Sequence, residues 1–470
     1  NYHFSRFWSE TGTLTFPASG VPGYEYVVPR SAKVAGASIV PAGFWGLPFF
    51  YGSLNVLFPS LLLPYWTLIF AVIGLLAWYW LWKKVWSIPA AIIILALTAF
   101  HPAWWYYSFR SLLPNVLFCS LVMIASLLWY QFLNGSRRCR WTLTMASLVT
   151  SLALIVRPSE IIWLAPVVAF VIYRQKISRT YWFGLAVGLL ALILIWLAIN
   201  SQVYGQLAAF AYNLQALPGK SLWLPFGFHP RLIWNTVWNY GFTFFLAHSL
   251  LAIVGLYVIL RSSNAWRNLY FTSVLIISVV LPLYYGSWIL SDNPEPGAVT
   301  IGSSFVRYFL PIYILLTPAI AAVLLQTGKW VGKFQYLVAG VVIVVLMLVS
   351  SGRVLYQPGE GVISLRQELC KYQSVGQQVV DTTEPEAIIL TPRSDKLIWP
   401  YRRVITPSGD DGYLRAIPGI LKEGVPVYYL HLPLSDQGRQ ELQSDWSQYG
   451  FTLGPEIWQN QSLALYRLQL

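Results

Sequence analysis

Acidic side chains are rare in the first three quarters of this chain, and the few present could act as bases or metal ligands. Residues 1–352 hold 20 Lys and Arg but only 5 Asp and Glu. The acids are Glu10, Glu25, Glu160, Asp292 and Glu295. A carboxylate can accept the proton of an attacking hydroxyl or coordinate a divalent cation. Acid–base or metal chemistry in this region therefore depends on very few positions.

Two arginines lie among aromatic residues at the starts of apolar runs. Arg110 lies in HPAWWYYSFRSLLPN, and Arg307 precedes Tyr308 in GSSFVRYFLPIY. Arginine binds phosphate through paired hydrogen bonds, and aromatic faces suit sugar rings or a lipid tail. The alternative is that each side chain only reaches the lipid headgroups. We expect both arginines to bind phosphate, with Arg30 as a third candidate.

Other polar residues have simpler interpretations. His3 and His101 could assist catalysis or bind a metal, but a lone histidine is more often a structural hydrogen-bonding residue. Arg157 and Glu160, in RPSE, are close enough in sequence to pair with each other.

The elements that must position these residues are apolar helices. The chain has 470 residues, of which 56% are hydrophobic and 10% charged, whereas soluble proteins carry roughly 25% charged residues. Apolar runs of about 20 residues indicate membrane spans. We predict ten spans: 60–82, 86–100, 113–133, 141–156, 161–173, 180–199, 241–260, 268–287, 308–326 and 332–350.

Short basic loops between these spans predict the topology. They contain Lys83, Lys84, Arg137, Arg138, Arg140, Arg174, Lys176, Arg179, Arg261, Arg267, Lys329 and Lys333. Short loops rich in Lys and Arg lie in the cytoplasm. All five acids and the long loops 1–57, 101–115, 200–240 and 284–311 then lie outside. The basic residues are spread between spans, which argues against a nucleic-acid partner.

Residues 353–470 differ in composition from the rest, with 11 Lys and Arg and 13 Asp and Glu. Alternating helix-like and strand-like patterns predict a small extracytoplasmic α/β domain. The fold class is therefore mainly α: a polytopic bundle formed by residues 1–352, whose first extracytoplasmic loop is 1–57, followed by this domain.

The sequence resembles the GT-C superfamily of membrane glycosyltransferases, in particular the bacterial branch related to protein O-mannosyltransferases and aminoarabinose transferases. The matching segments are YHFSRFWSETGTL, PRS…IVPAGFWGLP, HPAWWYYSFRSLLPN and GSSFVRYFLPIY. The resemblance implies a polyprenyl-phosphate-sugar donor and a lipid, glycan or protein acceptor on the outer face of the cell membrane. It also allows a divalent metal, Mg or Mn.

That family usually places an Asp-Glu pair after its first span, and the sequence lacks this pair. We expect a first span and the acidic pair to lie upstream of Asn1. Among the residues present, Glu10 is the candidate base, and Arg30, His101, Arg110, Arg307 and Tyr308 are the candidate substrate-binding residues. The alternative function is a flippase for a lipid-linked sugar, or another polytopic transporter.

Overall fold

The structure is a computed structural model that describes residues 1–18, 20–135, 139–174, 181–205, 224–289, 298–407, 411–460 and 462–470, without the side chains of 328–331, 333 and 335. The predicted basic-loop residues Arg137, Arg138, Lys176 and Arg179 lie outside the described residues, as do Asp292, Glu295 and much of loop 200–240.

The N-terminal segment, residues 1–57, contains two helices and a small sheet. Helix α1 (Tyr2–Thr11) ends at Gly12, whose φ of 72° is the left-handed conformation that favours glycine. Strands β1 (Phe16–Pro17), β2 (Ala32–Ala35) and β3 (Ser38–Pro41) form an antiparallel sheet in the order β1-β3-β2. Helix α2 (Gly46–Leu57) packs closely against α1.

Apolar helices make up the bundle. They are α3 (Trp66–Val85), α4 (Ile88–Ala99), α5 (Pro102–Phe109), α6 (Pro114–Asn134), α7 (Arg140–Val156), α8 (Ile161–Arg174), α9 (Trp182–Tyr204), α10 (Pro230–Thr236), α11 (Leu246–Arg261), α12 (Arg267–Tyr285), α13 (Ser304–Tyr308), α14 (Leu310–Val331) and α15 (Gln335–Tyr356). Every predicted span overlaps one of them. Proline near the first position starts several of these helices, where its missing N–H costs nothing.

The span count differs from the predicted ten. In the described residues, six helices are long and apolar enough to cross a membrane, and three further pairs pass the same test only together. The pairs are bent by 58° (α4 with α5), 120° (α7 with Pro158–Arg174) and 90° (Pro230–Thr243 with α11). The bundle thus has six to nine candidate spans. The predicted spans 141–156 and 161–173 are two arms of one bent pair, because Pro158 breaks the helix.

Small residues allow the helices to approach closely. A Cβ atom added at Gly255 would collide with the backbone of Ala319, and one at Gly188 would collide with Ser147. These positions join α11 to α14 and α9 to α7. Close contact at small residues is typical of helix packing in membranes.

The C-terminal region is the expected α/β domain. Its helices are α16 (Val362–Thr382), α17 (Asp395–Ile398), α18 (Gly412–Lys422) and α19 (Asp436–Ser447). Its strands are β4 (Ile388–Leu390), β5 (Arg403–Ile405), β6 (Val427–His431), β7 (Thr452–Gln459) and β8 (Ala464–Gln469), in the order β5-β4-β6-β8-β7. Strand β4 runs parallel to β5 and β6, whereas β8 runs antiparallel to β6 and β7. Val21 and Val27 of the N-terminal segment belong to the core of this domain, so the two parts are packed together.

Candidate functional site

Arg110 and Arg307 come from two loops that hydrogen bonds hold together. Arg110 follows α5, and Arg307 lies in α13. The hydroxyl of Tyr107 donates to the carbonyl oxygens of Ile301 and Ser303, at 3.0 and 2.8 Å. The amide of Asn115 donates to the carbonyl oxygen of Arg307 at 2.9 Å. Both arginines are therefore fixed at the same end of the bundle.

Among the described residues, the hydrogen-bond partners of both guanidinium groups are neutral. Arg110 donates to the hydroxyl of Tyr106 at 3.2 Å, and Arg307 donates to the hydroxyl of Ser304 at 2.6 Å. No carboxylate in the described part of the chain lies within salt-bridge distance of either group. The Nε atom of Arg307 is buried and has no hydrogen-bond acceptor among those residues. Both side chains thus carry positive charge that the described residues do not neutralise by direct contact.

The C-terminal domain brings a further cation to this place. Burial lowers the pKa of the Lys396 ammonium, and the carboxylate of the adjacent Asp395 opposes that shift. Three guanidinium groups add to the lowering: those of Arg30, Arg307 and Arg110. We call Arg30, Arg110, Arg307 and Lys396 the basic cluster. Like charges held this close repel one another, so an anion bound between them is favoured.

Arg30 has partners different from the predicted phosphate. Its Nε and its backbone N–H donate to the two carboxylate oxygens of Asp395, at 2.8 and 2.9 Å. Its Nη2 donates to the carbonyl oxygen of Arg393 at 2.5 Å. Asp395 is fully buried, whereas the Arg30 side chain is 41% exposed. This pair attaches the N-terminal segment to the C-terminal domain and so helps to place Lys396.

An Asp395→Asn substitution should loosen this attachment. The amide would present an N–H group to the donors of Arg30, so charge-assisted hydrogen bonds would be lost at a cost of about 2 kcal/mol. We expect faster limited proteolysis between the domains and a lower unfolding temperature of the full chain. Asp445→Asn, at an exposed aspartate of the same domain, should leave both unchanged. If the two variants have the same proteolysis rate and the same unfolding temperature, Asp395 does not hold the N-terminal segment to the C-terminal domain.

Aromatic rings lie beside the basic cluster. The His3 ring lies 5.3 Å from the ring of Trp399 and 6.4 Å from that of Tyr401, both edge to face. Burial, with a smaller effect of nearby positive charge, lowers the pKa of His3 to about 4. His3 is therefore neutral at pH 7. Asn1 places this end of α1 next to the Arg110 loop, because its amide donates to the carbonyl oxygen of Leu112 at 2.8 Å.

Glu10 lies at the other end of α1. Nine residues of helix separate it from Asn1, which is about 13 Å along the axis. Its carboxylate pairs with Arg6 at 2.7 Å, and both side chains are more than half exposed. The structure does not bring Glu10 into contact with the basic cluster.

His101 is a buried structural residue in this fold. Its Nδ1 accepts the backbone N–H of Ala103 at 3.2 Å and caps the start of α5. Its ring stacks on Tyr313 and lies edge to face against His248. The ring thus packs within the bundle rather than beside the basic cluster, which differs from the predicted substrate-binding position.

Tyr308 connects the basic cluster to a buried ion pair. The guanidinium groups of Arg307 and Arg157 lie 5.2 and 5.3 Å from its ring centre. Arg157 pairs with Glu160 at 2.7 Å, and each side chain is at most 4% exposed. The predicted Arg157–Glu160 pair is therefore confirmed. The hydroxyl of Tyr285 bridges the pair, and its ring stacks on Tyr308 at 4.4 Å.

Solved structures share this architecture, although no protein-family model and no curated protein matches the sequence. ArnT from Cupriavidus metallidurans in the apo state aligns with a TM-score of 0.61 and 12% identity, covering 99% of this chain and 92% of that one. ArnT from the same organism bound to undecaprenyl phosphate also gives a TM-score of 0.61, with 8% identity and the same coverage. The chain has the ArnT fold. The predicted fold class and the resemblance are thus confirmed at the level of the fold.

Within this ArnT fold, two residues of the site escaped sequence analysis. Lys396 lies in PRSDKLIWPY, which carries no recognisable motif. Glu360 follows the last span; its carboxylate accepts the backbone N–H of Gly302 at 3.1 Å and acts electrostatically on Tyr106. Only the folded chain brings these residues beside Arg110 and Arg307.

Proposed function

We propose that this chain is an integral membrane glycosyltransferase that moves a sugar from a polyprenyl-phosphate-linked donor to a lipid, glycan or protein acceptor on the outer face of the cell membrane. The observation that carries the proposal is the basic cluster, in which the described residues neutralise neither Arg110 nor Arg307 by direct contact. A phosphate that is esterified to a lipid suits this place, since the cluster lies where the apolar bundle meets a polar domain.

The fold supports the same function. One of the structures that share it holds undecaprenyl phosphate, which combines a phosphate with a long apolar chain. The predicted topology puts the C-terminal domain and the basic cluster outside the membrane. An outer acceptor would then reach the site without crossing the bilayer.

The proposed reaction is a substitution at the anomeric carbon of the donor sugar. The acceptor hydroxyl oxygen forms a bond to this carbon, and the bond from the carbon to the phosphate oxygen breaks. The electron pair leaves with the polyprenyl phosphate, and the hydroxyl proton goes to a carboxylate. Arg110, Arg307 and Lys396 stabilise the negative charge that develops on the departing phosphate.

The aromatic rings beside the cluster supply the surface for the sugar. Trp399 and Tyr401 follow Lys396 closely in sequence, and Tyr401 is 65% exposed. A sugar attached to a phosphate at Lys396 would lie within reach of these rings. His3, which is neutral, adds a hydrogen-bonding group there without adding charge.

The predicted divalent metal, Mg or Mn, stays a prediction. Among the described residues, no group of three His, Cys, Asp or Glu side chains could hold an ion. The reaction above is written without a metal.

Two carboxylates can be proposed as the base. Sequence analysis favours Glu10, whereas the geometry favours Glu360, which lies next to the Arg110 and Arg307 loops. We expect Glu360→Gln to lower turnover about a hundredfold, the lower range for loss of a general base. Binding of undecaprenyl phosphate should be unchanged or tighter, because a negative charge has been removed. Glu10→Gln is the matched control and should keep near-normal turnover. If Glu10→Gln lowers turnover and Glu360→Gln does not, Glu10 is the base.

A flippase for the same lipid is the alternative, and one experiment separates the two functions. The full-length protein is reconstituted in vesicles with a polyprenyl-phosphate sugar and an acceptor extract. A transferase releases free polyprenyl phosphate in step with sugar transfer. Movement of intact donor between the leaflets, with no free polyprenyl phosphate, would show a flippase and overturn the proposal.

A further inference from the structure

A large apolar cavity lies among the helices and extends from Pro311, four residues after Arg307, to Asn134 and Arg174. Its volume is about 570 Å³, and its walls come mainly from α3, α6, α8 and α12. Protein interiors are packed nearly as tightly as organic crystals. A void of this size between membrane helices therefore requires an occupant to supply the missing contacts.

The mouth of the cavity lies at the end of the bundle opposite to the C-terminal domain. On α3, the hydroxyl of Thr67 accepts the backbone N–H of Leu112, close to Arg110. Trp82, a wall residue, lies 15 residues further along the same helix, which is about 22 Å. The cavity thus opens near the loops that hold Lys84 and Arg267, which are cytoplasmic in the predicted topology.

One end of the cavity is apolar and the other end is polar. The deep end is lined by apolar residues such as Phe118, Ile277 and Ile314. Asn134, Arg174 and Asn268 line the other end, where α6 and α8 finish and α12 begins. This gradient matches an amphipathic molecule with its headgroup at the mouth.

We propose that this cavity binds an anionic phospholipid of the inner leaflet. Its phosphate lies at Arg174, and an acyl chain fills the apolar end. Basic pockets between membrane helices on the cytoplasmic side are suited to anionic lipid headgroups.

The test uses the full-length protein and two lipids of the same chain length, phosphatidylglycerol and phosphatidylcholine. Native mass spectrometry of the delipidated protein titrated with each lipid should show one tightly retained phosphatidylglycerol. Arg174→Gln should reduce the preference for phosphatidylglycerol about fivefold, the value of one basic residue near the headgroup. Equal retention of both lipids by the unmodified protein would overturn the proposal.

Two further variants locate the lipid. Ser126→Trp fills the cavity and should abolish retention, whereas Leu189→Trp, on the exposed side of α9, should not. Arg174→Gln leaves the cavity open, so its loss of preference for phosphatidylglycerol keeps the proposal testable even if Ser126→Trp fails to fold. An unchanged preference in Arg174→Gln would contradict the assignment. Displacement of phosphatidylglycerol by undecaprenyl phosphate would instead assign the cavity to the donor lipid.

Discussion

Replacement of both Arg110 and Arg307 by glutamine should weaken the binding of undecaprenyl phosphate about a thousandfold, because each charge-assisted contact with phosphate contributes about 1.5–3 kcal/mol. The single variants should each lose about 10- to 100-fold by the same reasoning. The measurement is a titration of the full-length protein in detergent micelles with undecaprenyl phosphate.

Arg231 provides the control for this prediction. It lies in α10, is exposed, and does not belong to the basic cluster. Arg231→Gln should leave the affinity unchanged. If the double variant binds as tightly as the unmodified protein, these arginines contact lipid headgroups only, and the phosphate site lies elsewhere.

Glu160→Gln should destabilise the bundle by about 3–5 kcal/mol, the cost of leaving one partner of a buried ion pair uncompensated. The carboxylate of Glu160 accepts hydrogen bonds from Tyr285 at 3.0 Å and from the indole of Trp163 at 2.5 Å. Glutamine would leave the charge of Arg157 without its partner and direct an amide toward these donors. Thermal unfolding in detergent measures the effect.

A second substitution tests whether the pair acts as one unit. Removing both charges with Arg157→Met and Glu160→Gln should cost less than Glu160→Gln alone, since no buried charge is left unpaired. A double variant that is less stable than the single one would show that the two residues contribute separately. Because Tyr308 lies between Arg157 and Arg307, Glu160→Gln should also weaken undecaprenyl phosphate binding.

The sequence predicts the parts of this protein that depend on local pattern. Every predicted apolar run overlaps a helix of the bundle, although the runs do not predict the short helices α5 and α10, and alternating patterns predict the α/β domain after residue 353. Arg110 and Arg307 are identifiable because each lies among aromatic residues at the start of a span. The Arg157–Glu160 pair is identifiable because its members are three positions apart.

Contacts between distant segments are what the sequence alone does not reveal. Lys396 joins the site because Asp395 binds Arg30, a residue 365 positions away. His101 follows an apolar run, and the sequence does not reveal that its side chain caps α5 and is buried. The sequence does not reveal the bend at Pro158 either. A proline predicts a break in a helix, but it does not predict that the helices on its two sides form one bent pair.

The most direct test is a cryo-electron-microscopy structure of the full-length protein in lipid nanodiscs with undecaprenyl phosphate. We predict phosphate density within hydrogen-bond distance of the Arg110 and Arg307 guanidinium groups and the Lys396 ammonium, with the apolar chain leading into the membrane. Undecaprenyl phosphate density at a site away from the basic cluster, with no phosphate between these three groups, would contradict this account.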